Sequence, residues 1–165
     1  MRQKTCCFTG HRDLPTKLLP VIRRQTSDAI EKLISENHVR YFGVGGAIGY
    51  DTLTAEVLFE LKKIYPHIKV ILVYPFEGFT SRWSAEQKAT FAKLLPLYDK
   101  RVCVAKAASK ESYLMRDRHL VDGSAYCIAY CTRETGGTAY TMRYAKEQGI
   151  HIKNIAEEIG GAYGI

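Results

Sequence analysis

The sequence predicts an α/β domain in which helices cover both faces of a mainly parallel sheet. Three observations lead to this prediction. Short apolar runs alternate along the chain with longer segments whose apolar residues recur at helical spacing. The short runs are apolar throughout, which is typical of strands buried on both faces. The helical segments between them hold 11 or more residues, enough to connect parallel strands. We therefore expect a doubly wound, Rossmann-like fold.

Six strands are expected, each a short run rich in apolar residues. The first is bounded by a glycine, the second ends at a pair of glycines, and the third closes at a proline. In chain order the predicted strands are Lys4–Thr9, Val39–Val44, Val70–Tyr74, Lys100–Val104, Tyr126–Tyr130 and Ile150–Ile155.

Five helices are expected between the strands. In the second of them, apolar residues such as Leu53, Val57 and Leu61 share one face, and Pro66 marks the end. The fifth ends before Gly149, a residue type favoured just beyond a helix. In chain order the predicted helices are Thr16–Asn37, 50–64, Trp83–Leu95, Ser109–Val121 and Thr138–Gln148.

The composition is that of one ordinary globular domain covering residues 1–165, with 46% hydrophobic and 25% charged residues. No apolar run is long enough for a membrane span, and no apolar signal-peptide core follows the first residues. Five cysteines, none in a C-x-x-C pair, argue against a disulfide scaffold and a zinc site. We expect a reduced, cytoplasmic protein with no metal site and no membrane partner.

The residues that follow each strand carry the functional signal, because ligands of such sheets bind beyond the carboxyl ends of the strands. The first motif, after the first strand, is Thr9, Gly10, His11 and Arg12. Glycine permits close backbone approach, and the two basic side chains can donate hydrogen bonds to a phosphate or a carboxylate. A simple turn with a solvated arginine is the structural alternative.

The second motif follows the second strand and contains Gly45, Gly46, Ala47, Gly49 and Asp51. Its G-G-x-x-G spacing departs from the G-x-G-x-x-G fingerprint of dinucleotide-binding folds. Free N–H groups at the start of the next helix could still cradle an anion. Asp51 fits either a contact with a ribose hydroxyl or a structural role at the positive end of the helix. A tight turn is the alternative for the glycines.

The third motif, Gly136, Gly137 and Thr138, opens the last predicted helix and again offers backbone N–H groups and a hydroxyl to a phosphate. Capping of the helix by the threonine is the alternative.

The preceding helix supplies Arg116 and Arg118, a residue type suited to gripping phosphates. Asp122 lies four residues after Arg118, so these two side chains can face each other. We include all three among the candidate ligand-binding residues, with a surface ion pair as the alternative.

In their order along the chain, these motifs resemble those of the SLOG superfamily, which unites DNA-processing protein A and the Lonely Guy phosphoribohydrolases. The sequence contains T-G-H-R, G-G-A-x-G-x-D-x-x-x-A-E, R-x-R-x-x-V-D-x-S and G-G-T between Cys7 and Ala145. It is most similar to the small YspA/YpsA-like bacterial members. The resemblance implies a Rossmann-like domain that binds a nucleotide-derived ligand such as NAD, ADP-ribose or a nucleoside phosphate. For this branch it implies no established reaction.

The sequence departs from the family pattern at two positions. Asp117 stands where the helix motif has asparagine, and Ala125 stands where the next strand opens with aspartate. The Lonely Guy motif P-G-G-x-G-T-x-x-E, whose glutamate is catalytic, is not completed after Gly137. Phosphoribohydrolase activity of that type is therefore not implied.

Three functions follow, and we favour the first: a sensor or carrier that binds a nucleotide-derived ligand, with no certain cofactor. The second is a nucleotide N-glycosidic hydrolase, in which Asp51 and Glu56 are the candidate catalytic carboxylates. The third is a single-stranded nucleic-acid-binding module, favoured by the net charge of +7 but not by the dispersed basic residues. The tyrosines, including Tyr140 and Tyr144, favour a homodimer.

Overall fold

The structure is a computed structural model that describes the backbone of residues 1–163 and the side chains of residues 1–160. Within these residues lie one six-stranded sheet and six α-helices. The strands are β1 (Thr5–Gly10), β2 (Tyr41–Val44), β3 (Lys69–Tyr74), β4 (Lys100–Cys103), β5 (Tyr126–Tyr130) and β6 (His151–Asn154). The helices are α1 (Leu19–Asn37), α2 (Tyr50–Ile64), α3 (Ala85–Leu94), α4 (Lys110–Asp122), α5 (Gly137–Glu147) and α6 (Ile155–Tyr163).

The sheet has the order β4-β3-β2-β1-β5-β6, and every pairing in it is parallel. The chain runs outward from β1 to β4 and then returns to place β5 on the other side of β1, with Cys7 opposite Cys127. This architecture confirms the predicted Rossmann-like α/β fold.

Helices cover both faces of the sheet, but unequally. Helices α1, α2, α3 and α6 pack over the larger apolar cluster, to which the sheet contributes residues such as Phe8 and Phe42. Helices α4 and α5 pack over a smaller cluster on the other face, around Cys7, Cys127 and Leu120. None of the helices in residues 1–163 is long and apolar enough to cross a membrane.

The predicted strands and helices are all present, with shifted ends. Helix α1 begins at Leu19, because residues 16–18 form a short 3-10 turn and Pro20 occupies the first helical turn. Helix α3 begins after Ser84, whose hydroxyl accepts a hydrogen bond from the Gln87 amide while the Gln87 side chain accepts one from the Ser84 amide.

Helix α6 was not expected from the sequence, which we interpreted as ending in a strand that includes Ile155. In the structure Ile155 instead begins the helix, and both Ile155 and Ile159 are buried in the larger cluster. Residues four apart lie on one face of a helix. This pair was the available signal, but a segment of nine residues is too short to establish a period.

The carboxyl ends of β1 and β5 lie side by side where the chain changes direction across the sheet. The loops that follow these two strands lead to opposite sides and leave a crevice between them. The amide of His11 donates to the carbonyl of Tyr130 at 3.3 Å and extends the pairing one residue past β1. The crevice therefore begins directly beyond His11.

The start of α2 fixes the end of β1. The amide of Tyr50 donates to the carbonyl of His11 at 3.0 Å. The side chain of Tyr50 lies against Gly10 so closely that a Cβ atom on Gly10 would collide with it. Tyr50 cannot withdraw, because its ring is fully buried and its hydroxyl is hydrogen-bonded to Thr26 at 2.8 Å.

We expect Gly10→Ala to lower the free energy of unfolding by about 1–3 kcal/mol, the usual effect of overpacking a close contact. The measurement is urea denaturation followed by circular dichroism. Gly137→Ala is the matched control, because a Cβ atom at Gly137 meets nothing within 4 Å. Equal midpoints for the two variants would contradict the proposed contact.

Candidate functional site

A cavity of about 360 Å³ occupies the crevice at the carboxyl ends of β1 and β5. Its walls come from the loops after β1 and β5, the first turn of α2, the inner face of α4 and the start of α5. Predicted ligand-binding residues that line it are Thr9, Gly10, His11, Arg12, Ala47, Asp51, Arg116, Gly136, Gly137 and Thr138. The structure thus brings together residues from all four motifs.

His11 is the most buried basic side chain of the cavity wall, with 5% of its surface exposed. Its Nε2 atom accepts a hydrogen bond from the Thr132 amide at 2.8 Å, and the Thr132 hydroxyl lies 3.3 Å from the same atom. Burial and, to a lesser degree, the charge of Arg133 lower the pKa of His11 below its usual range. The imidazole is therefore uncharged at neutral pH.

Arg133 and Asp13 also line the cavity, although they are absent from the sequence-based prediction. The Arg133 guanidinium reaches back across the crevice to the Asp13 carboxylate, with Nη2 and Oδ2 2.7 Å apart. Its hydrogen bond lowers the pKa of the Asp13 carboxyl. The sequence gives little indication that Arg133 and Asp13 belong to the site, because they lie in loops 120 positions apart and only the fold brings them together.

Asp51 lies in the first turn of α2 and is only 7% exposed. Its Oδ2 atom accepts a hydrogen bond from the Ala47 amide at 3.1 Å. Burial raises the pKa of Asp51 to about 6, and the nearby positive charge of Arg116 opposes part of that effect. A carboxyl group with this pKa binds a proton just below neutral pH.

Arg116 lies on the buried side of α4, with 7% of its side chain exposed. Its guanidinium donates to the carbonyl of Gly45 and, through Nε at 2.7 Å, to the Asp117 carboxylate. The centre of the Tyr113 ring lies 5.5 Å from the Arg12 guanidinium carbon and 5.9 Å from that of Arg116. These cation–π contacts tie the loop after β1 to α4.

The start of α5 opens onto the cavity. Its N-cap residue, Gly136, has a φ of 97° and makes no side-chain cap hydrogen bond within the part of the chain that the structure describes. The first N–H groups of a helix have no partner inside the helix. Gly137 and Thr138 are also on the cavity wall, so the start of the helix borders the space that a ligand would fill.

The glycines of the second motif, which the sequence suggested as ligand-binding residues, lie outside the cavity wall. Gly45, Gly46 and Gly49 do not line the cavity. A Cβ atom on Gly45 would lie 2.8 Å from both Arg116 and Asp51, and one on Gly49 would collide with backbone at the end of β1. The amide of Ala47 already serves Asp51. These glycines therefore bring α2 close to β1 and α4.

Arg118 and Asp122 do not form the pair that their spacing allowed. Arg118 donates to the Tyr140 hydroxyl at 2.9 Å and pairs with Glu111, while Asp122 accepts a hydrogen bond from the Tyr144 hydroxyl at 2.7 Å. Neither residue lines the cavity. Arg118 is two positions from Arg116, which turns it about 200° around the helix and away from the cavity.

Glu56, the second candidate catalytic carboxylate, lies away from Asp51. Its carboxylate pairs with Arg23 of α1 at 3.0 Å, and both residues line a separate surface groove. The five-residue separation along α2 accounts for this, because it turns Glu56 about 140° from Asp51. Among the described residues, no group of three or more histidine, cysteine, aspartate or glutamate side chains is placed to hold a metal ion.

Fold and cavity together define the class of protein: a Rossmann-like α/β domain with a polar ligand cavity where β1 and β5 part. Residues 7–157 match the model of the YspA SLOG family. The chain therefore belongs to the YspA SLOG family, as the order of its motifs suggested.

Individual relatives agree with this assignment. The chain is 29% identical over 130 residues to the uncharacterized SPbeta prophage-derived protein YoqJ of Bacillus subtilis strain 168, covering 72% of this chain and 76% of YoqJ. It is 27% identical over 153 residues to a UPF0398 protein of Enterococcus faecalis, covering 87% and 84%. These matches extend over most of each relative.

The fold is also that of DNA processing protein A from Helicobacter pylori, a protein described for its single-stranded DNA binding mode. The TM-score is 0.63 at 13% sequence identity, over 96% of this chain and 72% of the other. At this level of identity the likeness shows a shared fold.

The raised pKa of Asp51 predicts a pH-dependent loss of stability. Between its usual pKa of 3.8 and its folded value of about 6, the unfolded chain releases the proton first. Burial of Asp51 therefore lowers the free energy of unfolding as the pH rises through this window, by about 3 kcal/mol in all. Asparagine does not titrate. The free energy of unfolding of Asp51→Asn should therefore rise by about that amount, relative to that of wild type, between pH 4 and pH 6.

Urea denaturation at several pH values measures this difference. Asp28→Asn, which removes one exposed carboxylate from α1, is the control for the change in net charge. Stability curves of Asp51→Asn and wild type that run parallel from pH 4 to pH 7 would refute the assignment.

Proposed function

We propose that the cavity binds a nucleotide-derived small molecule, with a phosphate at the start of α5 and the ribose near Asp51, in a protein that senses or carries this ligand. The observation that carries the proposal is that one cavity combines a helix start without a side-chain cap and a buried carboxyl group. Uncapped N–H groups at Gly136 and Gly137 lie at one side, and the buried Asp51 carboxyl lies in the α2 wall. A nucleotide presents the complementary groups, an anion and hydroxyl donors.

The phosphate end is supported by backbone geometry and by charge. A helix start without a side-chain cap favours an anion through its N–H groups and its dipole. Arg133, four residues before Gly137, adds a positive charge to the same cavity. The wall therefore offers several charge-assisted hydrogen bonds, each contributing about 1.5–3 kcal/mol. A micromolar ligand requires about 8 kcal/mol.

The ribose end is supported by Asp51. Its Oδ2 atom accepts from the Ala47 amide, which fixes the carboxyl group and leaves acceptor capacity for a hydroxyl. The Tyr113 ring also lines the cavity, where it contacts the guanidinium groups of Arg12 and Arg116. The cavity volume of about 360 Å³ is within the range of about 300–1,000 Å³ found for small-molecule sites.

Hydrolysis of an N-glycosidic bond is the enzymatic alternative for this cavity. A pKa near 6 would allow Asp51 to exchange a proton close to neutral pH. Glu56 cannot assist from its ion pair with Arg23 in a separate groove. Because only one of the two predicted carboxylates lines the cavity, we favour binding without turnover.

Binding of single-stranded DNA is the second candidate, and one observation favours it. DNA processing protein A, which shares the fold, is described for binding single-stranded DNA. The net charge of +7 would support attraction to a polyanion. The volume of the cavity, about 360 Å³ with walls from five parts of the chain, favours one small ligand instead.

We expect Gly137→Asp to abolish the ligand-induced rise in melting temperature, with affinity at least about ten-fold weaker, because a carboxylate would occupy the anion position. Folding should be unaffected, since a Cβ atom at Gly137 meets nothing within 4 Å and an acidic residue is favourable in a first helical turn. The measurement is a thermal-shift titration with adenosine monophosphate, ADP-ribose and NAD.

Gly137→Asn is the matched control, because asparagine has the same size as aspartate without its charge. It should retain most of the thermal shift. Equal shifts in the two variants, or no shift in wild type with any of the three probes, would overturn the proposal.

Salt dependence separates the two candidates. A mononucleotide held by one or two phosphate oxygens should lose little affinity between 50 and 200 mM salt, following the weak dependence expected for few phosphate contacts. An oligonucleotide bound along the surface would show a slope of about −0.7 per phosphate contacted. The affinity for oligothymidylate can be measured by fluorescence titration. Tight binding that weakens steeply with salt and is unchanged by Gly137→Asp would favour the DNA-binding function.

A further inference from the structure

Nitrogen atoms of two basic side chains lie close together in the wall of the cavity. His11 Nδ1 and Arg133 Nη1 lie 3.5 Å apart, and both side chains line the cavity. An arginine nitrogen is always a donor. The question that decides the chemistry of this contact is whether Nδ1 of His11 carries a proton.

The backbone amide of Thr132 determines which nitrogen of His11 carries the proton. The Thr132 amide donates to His11 Nε2 at 2.8 Å, and a backbone N–H group can only donate, so Nε2 must be the unprotonated nitrogen. An uncharged imidazole carries one proton, which must then be on Nδ1. The lowered pKa of His11 agrees with the uncharged form. Nδ1–H and the Arg133 guanidinium are therefore both donors, and within residues 1–160 no acceptor is hydrogen-bonded to Nδ1.

A buried donor without an acceptor is unfavourable, and His11 is 5% exposed. The nearest carboxylate, Asp13, binds a different nitrogen of Arg133, with Nη2 and Oδ2 2.7 Å apart. Asp13 itself is exposed to solvent, with 74% of its side chain accessible. It holds Arg133 electrostatically but does not complete the hydrogen bonding of His11.

We propose that His11 Nδ1–H and the Arg133 guanidinium form a subsite for a phosphoryl group, and that the Asp13 carboxylate competes with this group for Arg133. This inference rests on the proposed function and assigns the residues that hold the anion. One phosphoryl oxygen accepts from Nδ1–H and a second from Arg133, while the start of α5 closes the other side. Arg133 exchanges one anion for another when the ligand enters.

Because Asp13 competes with the ligand for Arg133, removal of the Asp13 charge should strengthen binding of a phosphoryl group. An exposed ion pair contributes up to about 1 kcal/mol. Asp13→Asn should therefore tighten binding of inorganic phosphate and of adenosine monophosphate about two- to five-fold. Arg133→Gln should weaken both at least about ten-fold. The affinity for adenosine, which has no phosphate, should be unchanged by either substitution.

The experiment is isothermal titration calorimetry of the full chain with these three probes, and Asp28→Asn is the matched control. That variant removes the same charge from the exposed side of α1, so it should change the dissociation constants by less than about 1.5-fold. Inorganic phosphate reports a free anion, and adenosine monophosphate reports the nucleotide-borne group. Tightening by Asp13→Asn for both probes supports the subsite.

Nitrogen-15 NMR of the histidine rings supplies a readout that does not depend on any ligand. The resonances of His11, assigned by their loss in His11→Asn, should show a protonated Nδ1 and an unprotonated Nε2 at pH 7.5. The opposite tautomer or a charged ring would overturn the inference, as would affinities unaffected by Asp13→Asn and Arg133→Gln. If the nucleotide still binds wild type and is lost in Gly137→Asp, the proposed function stands and only this subsite fails.

Discussion

The contact between the end of β1 and the start of α2 determines where the polar groups of the cavity lie. Tyr50 fills the space beside Gly10, and its amide is bound to the carbonyl of His11. The same contact turns His11 into the crevice and places Asp51, the next residue of α2, in the cavity wall. Because this junction is buried and close-packed, it behaves as a rigid support for groups that must be held at fixed distances.

The fold was predictable because its signals are local and repeated. Fully apolar runs such as Val70–Tyr74, separated by helices, leave few arrangements other than a parallel sheet covered on both sides. The ends of the elements were less predictable. Turn geometry before Leu19 and burial of Ile155 by tertiary contacts shifted them, and neither is encoded in a periodic pattern.

The candidate site was predictable where chemistry is contiguous in sequence. Gly136 and Gly137 at a helix start, and His11 after a strand, are recognisable from their neighbours alone. Arg133 and Asp13 were not, because their roles arise only when distant loops meet. The opposite error occurred for Arg118, whose residue type fits a phosphate but whose position on α4 turns it toward Tyr140. Whether a helical residue reaches the cavity therefore depends more on its angular position around the helix than on its residue type.

The unequal coverage of the sheet has a consequence for motion. Helices α4 and α5, which supply seven of the 18 residues that line the cavity, rest on the smaller apolar cluster. Helices α1, α2, α3 and α6 share the larger one. Local opening follows the least buried contacts. The layer formed by α4 and α5 is accordingly the part that can loosen while the rest of the domain stays folded. A ligand that contacts both Gly137 at the start of α5 and Asp51 of α2 would therefore link the two layers and oppose this opening.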